Sequence, residues 1–317
     1  MVVKRKTKSK ISATAWVLIS VLATLAMVPN GTAVKLLSQD LAPASLAAIR
    51  YSIVAIILMV IFFMMFKKHK KAIKKNLLKI IITAIPFSVG GPLYISAIAE
   101  SSASYVSVLL LLSPIIFGIF SMILTKDKIT KSSVLGILFA VLGGTIVILL
   151  PVLLNSSVGF FGIIPLIAMA FYILLHAAFM VAVRRQNESG VPLFMVLAVQ
   201  YLFGAITSMI WAALTVGDAV FRDIANMTTV DWLLIAYLSV GFCVILRYVS
   251  VKGYEKTGTS TTVTINYLGQ VLAVIFPALV IGEVISWEMA VGAILIMVGI
   301  FLTRKHHQKY QHHRSHA

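Results

Sequence analysis

The chain has 317 residues, 60% of them hydrophobic and 12% charged, with a formal net charge of +17. A soluble domain carries about a quarter charged residues, so this composition excludes an ordinary water-soluble fold. The one cysteine, Cys243, excludes an intramolecular disulfide and offers no metal framework.

Apolar runs of 18 or more residues recur along the chain, each long enough to cross a hydrocarbon core of about 30 Å. None alternates as the strands of an outer-membrane barrel would. In chain order the pattern predicts ten helical spans, near 13–36, 43–66, 78–99, 103–125, 131–154, 159–183, 192–215, 231–253, 259–281 and 287–303. The first follows Lys4, Arg5, Lys6, Lys8 and Lys10 as a signal peptide would. Its apolar stretch is longer than a typical signal core and further spans follow, so it is expected to stay attached.

Charge sets the expected sidedness. With the N-terminus in the cytoplasm, 24 of the 27 Lys and Arg residues fall in cytoplasmic segments, leaving Lys35, Arg50 and Arg222 elsewhere. This is the positive-inside pattern, and it places both termini in the cytoplasm. Basic residues confined to loops in this way set orientation and do not point to nucleic acid.

The chain also repeats itself. Ser101 to Ser113-Pro114, running on through Asp127-Lys-Ile-Thr130 to Gly136 and Gly143, is echoed by a stretch opening at Thr257. The echo passes Gly269-Gln270 and Glu283-Val-Ile-Ser286 to reach Gly292 and Gly299, at a constant offset of 156 residues from Asp127 onward. Such self-similarity is the mark of a protein built from repeats. The expected fold class is an all-α integral membrane protein of ten transmembrane helices in two five-helix repeats. An odd number of spans per repeat inverts the second copy, and the loops agree: 126–131 is basic and expected inside, while its counterpart 282–288 is acidic and expected outside. The units are 1–155 with its basic N-terminus, 156–303, and a basic His-containing tail over 304–317.

Asn30-Gly-Thr-Ala-Val-Lys35, Pro43, Arg50, Ala97, Ser113-Pro114, Asp127-Lys-Ile-Thr130, Gly282-Glu283-Val-Ile-Ser286 and Gly292 stand in a telling order. That ordered set resembles the EamA-type permeases of the drug/metabolite transporter superfamily, over essentially the whole chain. The resemblance implies movement of small metabolites, amino acids or drugs across the cytoplasmic membrane. Two positions depart from the family pattern: Asp127 replaces a commoner Glu, and Gln270 stands where the second repeat would match Pro114. A proline inside a helix removes a hydrogen bond and bends it, so Pro114 is the expected helix break and gate of the first repeat.

Polar and ionisable groups within spans are costly and therefore candidates for function. Arg50, seven residues past Pro43, either snorkels to the outer interface or faces a central cavity. Arg247 has the same two readings toward the cytoplasm. If both face inward, an anionic substrate becomes attractive, because guanidinium holds carboxylate and phosphate with paired bonds. His176 lies mid-span. Asn266, Tyr267 and Gln270 give the ninth span a polar face, since 266 and 270 are four apart on a helix. Asn30 and Tyr94 complete the candidate substrate contacts. Every carboxylate falls in a loop or at a span end, so transport is expected either without obligatory proton coupling or with coupling through His176.

Gly136, Ala140 and Gly144 allow close helix approach, serving either internal packing or a homodimer. No P-loop, zinc spacing, paired catalytic carboxylates or nucleophile elbow occurs, so neither cofactor nor metal nor enzymatic activity is expected. The implied partners are a small-molecule substrate and the lipid bilayer. A membrane-embedded flippase or transferase for lipid-linked substrates is the alternative reading.

Overall fold

The computed structural model describes residues 12–116, 119, 131–154, 163–186, 191–249, 252, 256 and 259–314. Among them every regular element is helical. The order is α1 (Ala13–Met27), α2 (Asn30–Asp40), α3 (Pro43–Ala99), α4 (Ala103–Leu110), α5 (Lys131–Leu153) and α6 (Ile163–Gln186). Then come α7 (Leu193–Thr215), α8 (Ala219–Asn226) and α9 (Thr229–Ala236), which continues as a π-helix over Tyr237–Leu246. α10 (Thr259–Ile281) and α11 (Trp287–Arg314) close the chain.

Among the described residues, five stretches are long and apolar enough to cross a bilayer: Thr14–Asp40, Pro43–Ala99, Val134–Pro151, Leu193–Thr215 and Thr229–Val249. Shorter apolar helices cover Ala103–Ile116, Ile163–Ala178, Ile265–Ile281 and Trp287–Leu302. Their outer faces carry exposed Leu18, Ile56, Phe63, Met64, Leu214, Leu279 and Phe301. Apolar surface this extensive suits contact with lipid and not with water.

α3 is helical without interruption, yet it folds back on itself. The rings of Tyr51 and Phe87 lie 6.2 Å apart, where a straight helix would separate them by about 54 Å. The sequence pattern left 67–77 as a loop between two spans, whereas the structure keeps it helical. Lys and Ala form helix well, and Ile73 is buried in a small cluster with Ile80, Val191, Met195 and Val196. The first span also departs from its expected bounds: it breaks at Val28–Pro29 and runs on to Asp40. Beyond residue 303 the last helix continues through Arg314.

α5 and α11 meet backbone to backbone. A Cβ on Gly143 would lie 2.6 Å from the carbonyl oxygen of Gly292, and one on Gly299 would overlap the carbonyl oxygen of Gly136. Ser132 Oγ donates to the Leu302 carbonyl at 2.7 Å. Paired residue numbers rise on one helix as they fall on the other, so the two are antiparallel. Under the 156-residue offset Gly136 corresponds to Gly292 and Gly143 to Gly299, so the two glycine contacts map onto each other. The second arm of α3 and α7, in contrast, run parallel: Gln200 Nε2 donates to Thr83 Oγ1 at 3.1 Å and Thr207 Oγ1 to the Ser88 carbonyl at 2.8 Å.

One end of the fold is tied by charge. Lys35 Nζ donates to the carbonyls of Ile98, Ala99 and Ser101 at 3.3, 3.0 and 2.5 Å, at the C-terminus of α3. On the other side of the same turn, Glu283 accepts from the N–H groups of Ala103 and Ser104, both at 2.8 Å, at the N-terminus of α4. A cation at a helix C-terminus and an anion at an N-terminus each match the local dipole. Gly282, at φ +69°, ends α10 in the left-handed conformation and turns Glu283 back toward α4.

Asp127 and its loop, Glu188, Thr257, residues 1–11 and residues 315–317 lie outside the described residues.

Candidate functional site

The site forms where α3 packs against α2, α6, α7 and the π-helix. It is a cavity of about 210 Å³. Five of the candidate residues line it: Asn30, Arg50, Tyr94, His176 and Arg247.

Arg50 stands at its centre. Seven residues past the start of α3, it is carried about 10 Å along the helix axis and is only 3% exposed. It does not snorkel to the interface. Nη2 donates to Asn30 Oδ1 at 2.9 Å and approaches Cys243 Sγ at 3.5 Å. The guanidinium carbon lies 5.6 Å from the Phe242 ring centre and 5.9 Å from that of Tyr51. Cation–π contact of this kind favours the charge without using its N–H groups. Nε and Nη1 are buried and have no hydrogen-bond partner among the described residues.

Asn30 uses both ends of its amide. While Oδ1 accepts from Arg50, Nδ2 donates to the Tyr94 hydroxyl at 2.9 Å. The Tyr94 ring lies 5.1 Å from Tyr172, and Tyr172 stacks on His176 at 5.5 Å with 21° between planes. These contacts link α2, both arms of α3, and α6 along one wall. On the opposite side Tyr51, Phe87 and Tyr201 pack ring to ring at 4.7–6.2 Å.

The π-helix supplies Phe242 and Cys243. Its wider i→i+5 winding alters the register of side chains from that of an α-helix, and such segments often mark functional sites. Ser239 Oγ donates to the Arg50 carbonyl at 3.4 Å, and Tyr237 donates to the Ala26 carbonyl at 2.8 Å, anchoring this segment to α3 and α1.

The ninth-span candidates lie elsewhere. Asn266, Tyr267 and Gln270 are not among the cavity-lining residues, and Asn266 is exposed. The rotation of α10 is set by Gly269, which packs so closely on Thr24 that a Cβ there would overlap its side chain. Pro114 also lies off the cavity, but α4 is interrupted at 111–112 just before it. Pro114 has no N–H to return to Leu110, the last residue of α4, which does line the cavity. Sequence reasoning passed over Tyr51, Phe87, Tyr172, Phe242 and Cys243. Among apolar spans their rings read as ordinary core or lipid-facing residues, and nothing local distinguishes them.

Gly136 and Ala140 serve internal packing against α11, while Gly144 meets the Leu112 side chain.

Comparison with known proteins agrees with this architecture. The chain is similar, at 25% identity over 263 residues covering 81% of it and 83% of the relative, to an uncharacterized transporter, YyaM, of Bacillus subtilis (strain 168). A solved crystal structure superposes with a TM-score of 0.56 at 17% identity, covering 92% of this chain and 98% of that one. At that identity it speaks for the fold alone. The model of the EamA-like transporter family matches residues 14–149 and again 160–305. The protein is therefore a multi-pass membrane protein, and it belongs to the EamA-like transporter family.

Proposed function

We propose that the protein is a secondary transporter, a permease or exporter that moves small organic solutes across the cytoplasmic membrane by alternating access. The observation that carries this reading is the cavity around Arg50. Both halves of the chain wall it: Asn30 to Leu110 from the first, Tyr172 to Arg247 from the second. A site between repeats is what rocking of one half against the other requires.

The antiparallel α5–α11 contact supports two inverted five-helix repeats. A two-fold axis relating antiparallel helices lies perpendicular to them, and so in the plane of a membrane they cross. The exchange of Gly136·Gly299 with Gly143·Gly292 under the 156-residue offset is the contact pattern such an axis produces. A cavity of about 210 Å³ falls below the 300–1,000 Å³ typical of drug-sized ligands. That favours a small metabolite over a lipid-linked sugar.

The test is solute exchange. Purified protein in liposomes preloaded with members of a small-metabolite panel is expected to accelerate counterflow of at least one labelled solute over protein-free liposomes. No accelerated exchange for any class (cationic, neutral or anionic) would overturn the transport reading.

A further inference from the structure

We infer that the cavity selects organic monoanions, holding a carboxylate on Arg50 and a small flat apolar body among the surrounding rings. The inference rests on the transport reading for its biological meaning, but its chemistry stands on the cavity itself.

The first observation is the state of Arg50. It is almost wholly buried, and two of its three nitrogens have no hydrogen-bond partner among the described residues. An arginine cannot escape this by deprotonating. A buried guanidinium left with unmade hydrogen bonds is strongly disfavoured unless a counter-charge joins it. The chain provides none there: among the described residues lining the cavity, none is Asp or Glu. Asn30, Cys243, Phe242 and Tyr51 orient the guanidinium. These unpartnered N–H groups, covered in this conformation, match an oxyanion that reaches them from the cavity, which guanidinium binds better than ammonium does.

The second observation is Arg247, another cation on the same lining. With two arginines and no acid among its described lining residues, the cavity repels cationic solutes and gives neutral ones no compensating charge. A third observation concerns shape. Six aromatic rings besides His176 (Tyr51, Phe87, Tyr94, Tyr172, Tyr201 and Phe242) enclose a volume of about 210 Å³. Stacking surfaces in so small a space suit a planar apolar group and leave little room for a polyhydroxylated one. A bare inorganic anion would satisfy Arg50 and leave those rings unfilled.

The test uses an isosteric charge series on the wild-type protein in chloride-free buffer: benzoate, benzamide and benzamidine, with acetate as the ringless anion. Thermal stabilisation and binding titration are expected to rank benzoate first. Its affinity should exceed that of benzamide by on the order of tenfold, with benzamidine showing no binding and acetate weaker than benzoate. Benzamide or benzamidine equal to benzoate would overturn anion selectivity, as would no response to benzoate. Acetate equal to benzoate would overturn the role of the rings. Arg50→Gln and Arg247→Gln add a second arm, in which the benzoate preference over benzamide is expected to vanish for the first and shrink for the second. Folding of either variant is not needed, because the wild-type series alone decides. Counterflow of labelled benzoate separates the two readings. Selective binding without movement would count against transport but not anion selectivity, whereas movement of benzamide at the benzoate rate would do the reverse.

Discussion

Glu283, from the second half of the chain, accepts hydrogen bonds from the backbone N–H groups of Ala103 and Ser104 at 2.8 Å each, capping a helix of the first. The contact joins the turn before α11 to the start of α4, the helix whose far end reaches the cavity at Leu110. Glu283→Ala is expected to lower stability by about 1–2 kcal/mol, the usual loss for an N-terminal cap, and Glu283→Gln by less. Thermal unfolding in nanodiscs measures both, and a Gln variant weaker than Ala would refute the capping role.

Lys35 acts on the same turn from its other side, through the carbonyls of Ile98, Ala99 and Ser101. Lys35→Ala and Glu283→Ala should therefore be non-additive, with a coupling of about 0.5 kcal/mol or more. Strict additivity would mean the two ends of the turn move independently.

Along α5 the glycines differ in what they tolerate. A Cβ at Gly143 meets the Gly292 backbone, whereas one at Gly144 meets the end of the Leu112 side chain at 3.2 Å. Gly143→Val is expected to abolish recovery of folded protein, while Gly144→Ala costs under about 1 kcal/mol, because a leucine tip can shift. Size-exclusion profiles of the two variants in detergent check this directly.

Within the cavity, Asn30 matters through the charge it orients. Asn30→Ala removes the oxygen that receives Arg50 Nη2, leaving a buried guanidinium still less satisfied. Tyr94→Phe removes only the hydroxyl at the other end of the amide. The expected losses are on the order of 2–4 kcal/mol for the first and about 1 kcal/mol for the second. Equal effects would show that Asn30 does not position Arg50.

Cys243, the chain's one thiol, is a native reporter of access because it is buried in the cavity wall beside Arg50. Small permeant maleimides are expected to react with it slowly, and benzoate to slow the reaction further. Faster labelling on adding benzoate would place the occupied site elsewhere.

Much of this arrangement was legible beforehand, for identifiable reasons. Burying a charge inside an apolar helix is expensive enough that Arg50 and Arg247 stand out in any sequence, and both line the cavity. The 156-residue offset marked the glycines that turn out to face one another. The ring cluster was not legible, since Tyr51, Phe87 and Tyr201 come together only because α3 folds back and α7 packs beside it. The ninth-span candidates lie off this cavity for a related reason. Spacing says that Asn266 and Gln270 share a side of a helix, but not which way that side turns. The Gly269–Thr24 contact decides it, and Thr24 lies almost at the other end of the chain.

The crossed glycine contact also bears on how such a chain can be divided. Positions 136 and 143 on one helix meet 299 and 292 on the other, so the joined face is its own complement. A half-length chain bearing that face could already bury it against an antiparallel copy of itself. The covalent link between halves then ties together parts that associate without it. Residues 1–155 and 156–317, made as two separate polypeptides in one cell, should find each other and rebuild the same assembly.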